Sequence, residues 1–90
     1  MFKKEDIFEI IIGLLIKIQK LSGREVPKID RNTVPIGGLQ GFDSLNGLEL
    51  VVMLPDGINW SRENLCVSKD GKRALNVQEI VERLLDYNNR

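Results

Sequence analysis

Ninety residues suffice for one small domain, spanning 1–90, because single domains run from about 50 to 200 residues. Hydrophobic residues make up 42% of the chain, which supports a packed core, while thirteen basic and thirteen acidic side chains cancel and leave no basic field for nucleic acid. Histidine is absent, which removes His-based acid–base catalysis, Ser-His-Asp triads and most zinc sites, and the lone Cys66 permits no internal disulfide and fits a cytoplasmic setting.

The chain opens with Met1-Phe2-Lys3-Lys4 and an apolar stretch over 7–16, the outline of a secretory signal. Glu5, Asp6 and Glu9 place acids where such signals avoid them. The stretch is also far shorter than the roughly 20 residues that span a bilayer, so no stable membrane insertion is expected. The spacing instead predicts a helix over 5–21, with Ile7, Ile11, Leu14, Ile18 and Leu21 on one face and Gly23 as a left-handed cap. Residues 22–42 follow, with Pro27, Pro35, Gly37, Gly38 and Gly41 and no sustained period. A loop of that length inside a compact domain is uncommon and calls for a functional reason. Val26, Ile29, Val34, Ile36 and Leu39 are the side chains able to pin it to a core.

A second helix is predicted over 43–54, capped by Asp43 and ended by Pro55, with Leu45, Leu48, Val51, Val52 and Leu54 as its apolar face. Over 58–76 two readings stand side by side. Lys69-Asp70-Gly71-Lys72 between Leu65-Cys66-Val67 and Ala74-Leu75 signals a short hairpin, whereas Ser61-Arg62-Glu63-Asn64 offers a single helical turn. The last helix spans 77–87. Asn76 caps it, Glu79 completes a capping box, and Val77, Ile80, Val81, Leu84 and Leu85 form its stripe. The expected fold class is all-α, with three principal helices.

The most informative residues are Leu39-Gln-Gly-Phe-Asp43-Ser44-Leu45-Asn-Gly-Leu48-Glu49-Leu50. A glycine-containing loop delivers Asp43-Ser44-Leu45 to the start of a helix. The serine hydroxyl is expected to be exposed there, beside free backbone N–H groups and the positive end of the helix dipole, which together stabilise a phosphate ester. Leu45 is expected to point into the bundle and turn Ser44 outward. An isolated Asp-Ser is more commonly only a helix cap. The long loop, the Gly-Phe-Asp-Ser-Leu run and the short amphipathic helix behind it make a more specific pattern.

That pattern resembles the acyl carrier protein family, small helical bundles with a long loop after the first helix and a Gly-x-Asp-Ser-Leu motif opening the second. The resemblance spans most of the chain: 5–21, 22–42, 43–54 and 77–87. It implies an acyl-carrier-like bundle. It also implies that Ser44 is the attachment point for 4′-phosphopantetheine drawn from coenzyme A, whose thiol carries acyl, aminoacyl or polyketide groups as thioesters. By the same resemblance, Asp43 helps to engage the modifying transferase and its metal ion, and Leu45 completes the motif. The implied partners are a phosphopantetheinyl transferase and acyl-activating, condensing or acyl-transfer enzymes, met by a monomer that catalyses nothing itself.

Residues 32–61 contain Asp43, Glu49 and Asp56 and no Lys or Arg, an uneven distribution that favours basic patches on partners. Gly41, Phe42, Asn46, Glu49 and Met53 are the expected partner-facing residues. Ile11, Leu15, Leu48, Val52, Ile80 and Leu84 are expected to line the interior, where an acyl chain shelters. The neutral overall charge, Pro55-Asp56-Gly57 and the missing third helix over 58–76 depart from fatty-acid carriers and point to a specialised fatty-acid, lipid or secondary-metabolite pathway. Asp43, Glu49 and Asp56 are too spread for a cation site. Lys69, Lys72 and Arg73 read as a solvated turn, Trp60 as a core or rim anchor, and Cys66 as a small apolar side chain. The alternative is an unmodified helical adaptor, in which Ser44 is only a cap and the apolar surface of the first helix meets a partner helix or a second copy.

Overall fold

The computed structural model describes residues 2–89. Three helices and one short turn follow in order: α1 (Lys4–Leu21), the turn α2 (Pro35–Gly38, where Ile36 and Gly37 leave helical backbone angles), α3 (Ser44–Val52) and α4 (Val77–Asn88). Among the described residues every regular element is helical, and extended pairing is confined to one antiparallel bridge between Val67 and Ala74.

α1 carries acids in its first turn and Lys20 in its last, matching the helix dipole. It buries Ile7, Ile11, Leu15 and Ile18, and packs chiefly on α4 through Val77, Ile80, Val81 and Leu84. Leu21, expected on that face, is instead 71% exposed, because the inward register passes through Ile18 and Gln19. The helix ends as expected at Gly23 (φ 69°): the Arg24 N–H donates to Gln19 O and the Gly23 N–H to Lys20 O, a left-handed closure that glycine adopts without strain.

The long loop is ordered by what it touches. Ile29, Pro35, Leu39 and Phe42 are buried, and Val26 and Ile36 pack partly against the core. Arg31 O and Thr33 O accept the first N–H groups of α4, from Gln78 (3.0 Å) and Val77 (2.9 Å). Asn76 Oδ1 takes the next, from Glu79, and Glu79 returns the bond to the Asn76 N–H, so the expected capping box is present. Glu79 also pairs with Arg73 at 2.8 Å. The Arg73 guanidinium, followed by the Asn76 N–H, holds the Glu79 carboxyl below the ordinary carboxylate range; that stabilisation is full at neutral pH and fades as acid protonates the group.

α3 corrects two expectations. It is shorter than 43–54: Asp43 is an extended N-cap, and the chain leaves the helix at Met53, ahead of Leu54 and Pro55. It is also turned about its axis. Gly47 and Leu50 are buried and Val51 and Leu54 half-buried, while Leu45, Leu48 and Val52 are 72%, 41% and 84% exposed. Three of the five stripe residues, Leu45, Leu48 and Val52, face outward because the glycine side of α3 is turned to the 64–66 segment, with Gly47 against Asn64.

Between α3 and α4 the chain forms the hairpin reading in its smallest version. Ser68 N–H donates to Arg73 O, Leu75 N–H to Cys66 O, and Gly71 (φ 75°) makes the turn; residues 61–64 form no helical turn. Side chains of α4 hold this stretch. Arg83 donates to Leu65 O and Val67 O, and Asn88 both accepts from the Asn59 N–H and donates to Asn59 O. Trp60 is a rim anchor, half-buried, tilted against Tyr87 at 5.1 Å between centroids and covered by Arg83 at 4.8 Å. Cys66 is fully buried, and burial pushes its thiol up to about 12 despite the nearby Arg83 cation. The native protein is therefore expected to resist iodoacetamide at mildly alkaline pH and to react only once denatured. Intact mass with and without urea checks this, and rapid labelling of the native chain would contradict the burial.

Candidate functional site

The start of α3 is built by three constraints: a glycine turn, a buried phenylalanine and an aspartate cap. Gly41 turns the loop at φ 67°, and the Phe42 N–H donates to Leu39 O at 3.1 Å. Phe42 itself is 4% exposed, so this expected partner residue is a core anchor that nails the loop end to the bundle. Asp43 then caps the helix: its Oδ1 accepts from the Leu45 N–H (3.0 Å) and the Asn46 N–H (3.2 Å), while Asn46 Oδ1 accepts from the Asp43 N–H (3.2 Å).

Ser44 occupies the first helical position and is exposed. Its hydroxyl makes no hydrogen bond among the described residues, since the capping is done by Asp43. Its carbonyl is held by Asn64, whose Nδ2 donates to Ser44 O at 2.9 Å and whose Oδ1 accepts from the Cys66 N–H at 2.9 Å. The serine backbone is thus fixed and its hydroxyl is not.

Two expectations about this site change. Leu45 does not point into the bundle; it lies on the surface next to Ser44. Phe42 below and the Asn64 bond behind are what turn the serine outward. The N–H groups of Leu45 and Asn46 are not free to cradle a phosphate, because the Asp43 carboxylate already takes both. Any anion on Ser44 faces water and lies close to a carboxylate.

Of the other expected partner residues, Gly41 and Glu49 are exposed, and Asn46 is half-buried within the cap, donating through Nδ2 to Glu49 Oε1 at 3.0 Å. Met53 is half-buried against the core at the far end of α3 and does not join this group. Leu48 and Val52, expected inside, stand on the outer side, whereas Ile11, Leu15, Ile80 and Leu84 do line the interior. No group of three or more acidic, cysteine or histidine side chains is placed to hold a metal ion among the described residues. No helix among them is long and apolar enough to cross a membrane.

Gln19, Arg24, Gln40 and Asn64 were not singled out in the sequence, yet all four hold this site. Gln19 carried the one readable signal, a polar side chain four residues beyond Leu15 on an otherwise apolar face. Comparison with protein-family models, with curated proteins and with solved structures finds no match for this chain.

Gly47 tests the site most directly. A Cβ there would approach the Asn64 Cγ and Nδ2 at 2.8 Å, so glycine is what lets Asn64 reach Ser44 O. Helix propensity alone favours alanine by about 1 kcal/mol. Gly47→Ala is nevertheless expected to destabilise the protein by roughly 1–3 kcal/mol, by displacing a packed amide and breaking its bonds. The urea midpoint reads the sign; a more stable variant would remove the Asn64 latch.

Proposed function

We propose that this chain is a carrier domain, an acyl-carrier-like bundle of α1, α3 and α4, that is modified on Ser44 with 4′-phosphopantetheine. One observation carries the reading. The hydroxyl at the start of α3 is exposed and unused, while Asp43 performs the capping that would otherwise explain a serine there. The adaptor alternative needs Ser44 as the cap, and Asp43 is the cap; of the α1 surface it also needs, Ile7, Ile11, Leu15 and Ile18 are buried and Phe8, Ile10, Ile12 and Ile16 stay half-buried.

The residues present fit the group sterically, while its phosphate is left to solvent because Asp43 takes the Leu45 and Asn46 N–H groups. An exposed first-turn position has room for a bulky ester, and the rigid Asp43 and Asn64 contacts present the Ser44 hydroxyl without blocking it. In loading, Ser44 Oγ attacks the pyrophosphate of coenzyme A. A new O–P bond forms, the P–O bond to adenosine 3′,5′-bisphosphate breaks, and the serine proton leaves to a base on the transferase. The bound arm supplies a thiol that holds acyl, aminoacyl or polyketide groups as thioesters. The domain contributes position and recognition. Asp43 and Glu49, exposed beside Ser44 in a stretch without Lys or Arg, attract basic surfaces on a phosphopantetheinyl transferase and on acyl-activating, condensing or acyl-transfer enzymes. The short α3 and the bridge in place of a third helix favour service in a specialised fatty-acid, lipid or secondary-metabolite pathway.

Incubation with coenzyme A and a broad-specificity phosphopantetheinyl transferase is expected to add one phosphopantetheine to the intact mass. Ser44→Ala should remove that gain while changing stability by about 0.5 kcal/mol or less, because it leaves the Asp43 cap intact. Absence of any gain in the folded wild-type protein would favour the adaptor.

A further inference from the structure

Resting on the carrier reading, we infer that Arg24 is a positioning residue: its guanidinium clamps the end of α1 to the first turn of α3 and so sets how Ser44 is presented for modification. Arg24 leaves α1 from the helix closure, its backbone fixed by the bond to Gln19 O at 2.9 Å. Its side chain crosses the loop end, and Nη1 donates to Gln19 Oε1 (3.3 Å) and Asn46 Oδ1 (3.0 Å). Asn46 Oδ1 therefore serves two donors, Arg24 and the Asp43 N–H, one on each side of the cap that flanks Ser44.

The rest of the network closes around this contact. Gln19 is fully buried, and its Nε2 donates to Gln40 O at 2.8 Å, while Gln40 Oε1 accepts from the Glu25 N–H at 2.8 Å. Gly41 is where the arginine passes: a Cβ there would lie 2.8 Å from Arg24 Nε, and φ is +67°. Glycine at 41 thus meets two needs, the turn and the passage of the side chain. Since 32–61 contains no Lys or Arg, Arg24 is a cation that folding brings to this acidic stretch from outside it.

Chemistry makes the clamp specific to arginine. Both bonds leave one nitrogen, Nη1, whose two hydrogens are fixed in the guanidinium plane and aimed at acceptors on different elements; the lysine nitrogen sits one bond nearer the backbone on a flexible stem, without that reach or fixed plane. Losing the clamp leaves the buried Gln19 Oε1 without a partner, a cost at the end of α1, but α1 and α4 pack through aliphatic side chains that Arg24 does not enter. Its loss should loosen the start of α3 while the bundle stays folded.

The test compares wild type, Arg24→Ala and Arg24→Lys by amide hydrogen exchange and by the kinetics of loading from coenzyme A. In Arg24→Ala, exchange should quicken at the Leu45 and Asn46 amides, which donate to Asp43, and stay unchanged at core amides of α4 such as Leu84. Loading should lose about tenfold or more in kcat with KM within about twofold, the pattern of a misplaced nucleophile rather than of weakened docking. Arg24→Lys should resemble Arg24→Ala, and it carries the test if the alanine variant does not fold. Full rescue by lysine would overturn the proposal in favour of charge alone, and unchanged exchange at Leu45 and Asn46 with unchanged kcat would overturn it outright. Faster exchange in a protein that never loads, even as wild type, would instead sink the carrier reading and the modification half of this proposal with it.

Discussion

The free N–H groups at the start of α4 are the constraint on which the rest of the structure depends. A helix N-terminus in the interior of a small protein must find acceptors, and here only one comes from its own cap. The others are Arg31 O and Thr33 O, in the middle of the long loop. Satisfying α4 therefore draws a twenty-residue irregular segment across the bundle, and Ile29, Leu39 and Phe42 sink into the core as a result. Once the loop is held there, buried Leu39 and Phe42 fix where its end meets α3. The position of Ser44 follows from the needs of a helix more than thirty residues away in the chain.

From this view the polar interior around Gln19 is a second anchor of the same kind. A fully buried amide in an otherwise aliphatic helix face would be costly without partners. It has them in Gln40 O and Arg24, both supplied by the segment that leaves α1 and returns toward α3. The loop is thus tied at its beginning, middle and end, each time through a backbone group: the Glu25 N–H, Arg31 O and Thr33 O, and Gln40 O. This accounts for an ordered stretch with almost no regular structure.

What was legible in the sequence was whatever depended on neighbours along the chain. The extents of α1 and α4, the Gly23 closure, the Asn76–Glu79 box and the Asp43 cap all involve residues within one or two turns of each other, and all are present. The hydrophobic face of α3 was misread because periodicity counts Leu45, Leu48 and Val52 and assigns nothing to Gly47, whose value is the absence of a side chain. Asn64 and Arg24 were invisible for a related reason. Each acts on residues about twenty positions away, through a single hydrogen bond that leaves no local pattern. The serine itself stood out in the sequence; the means of holding it did not.

Cys66 sits next to Asn64, and its backbone N–H is part of the latch on Ser44, yet its sulfur is sealed inside. A carrier whose arm ends in a thiol faces a hazard of its own making, since a second reactive sulfur on the same molecule could capture the arm as a disulfide or take its cargo by thioester exchange. Both reactions require a thiolate that the arm can reach. On the proposed carrier reading, burying the chain's only cysteine, with its pKa raised to about 12, would deny the arm any such rival. The domain would then be chemically silent toward what it carries, leaving transfer to the enzymes that dock on it.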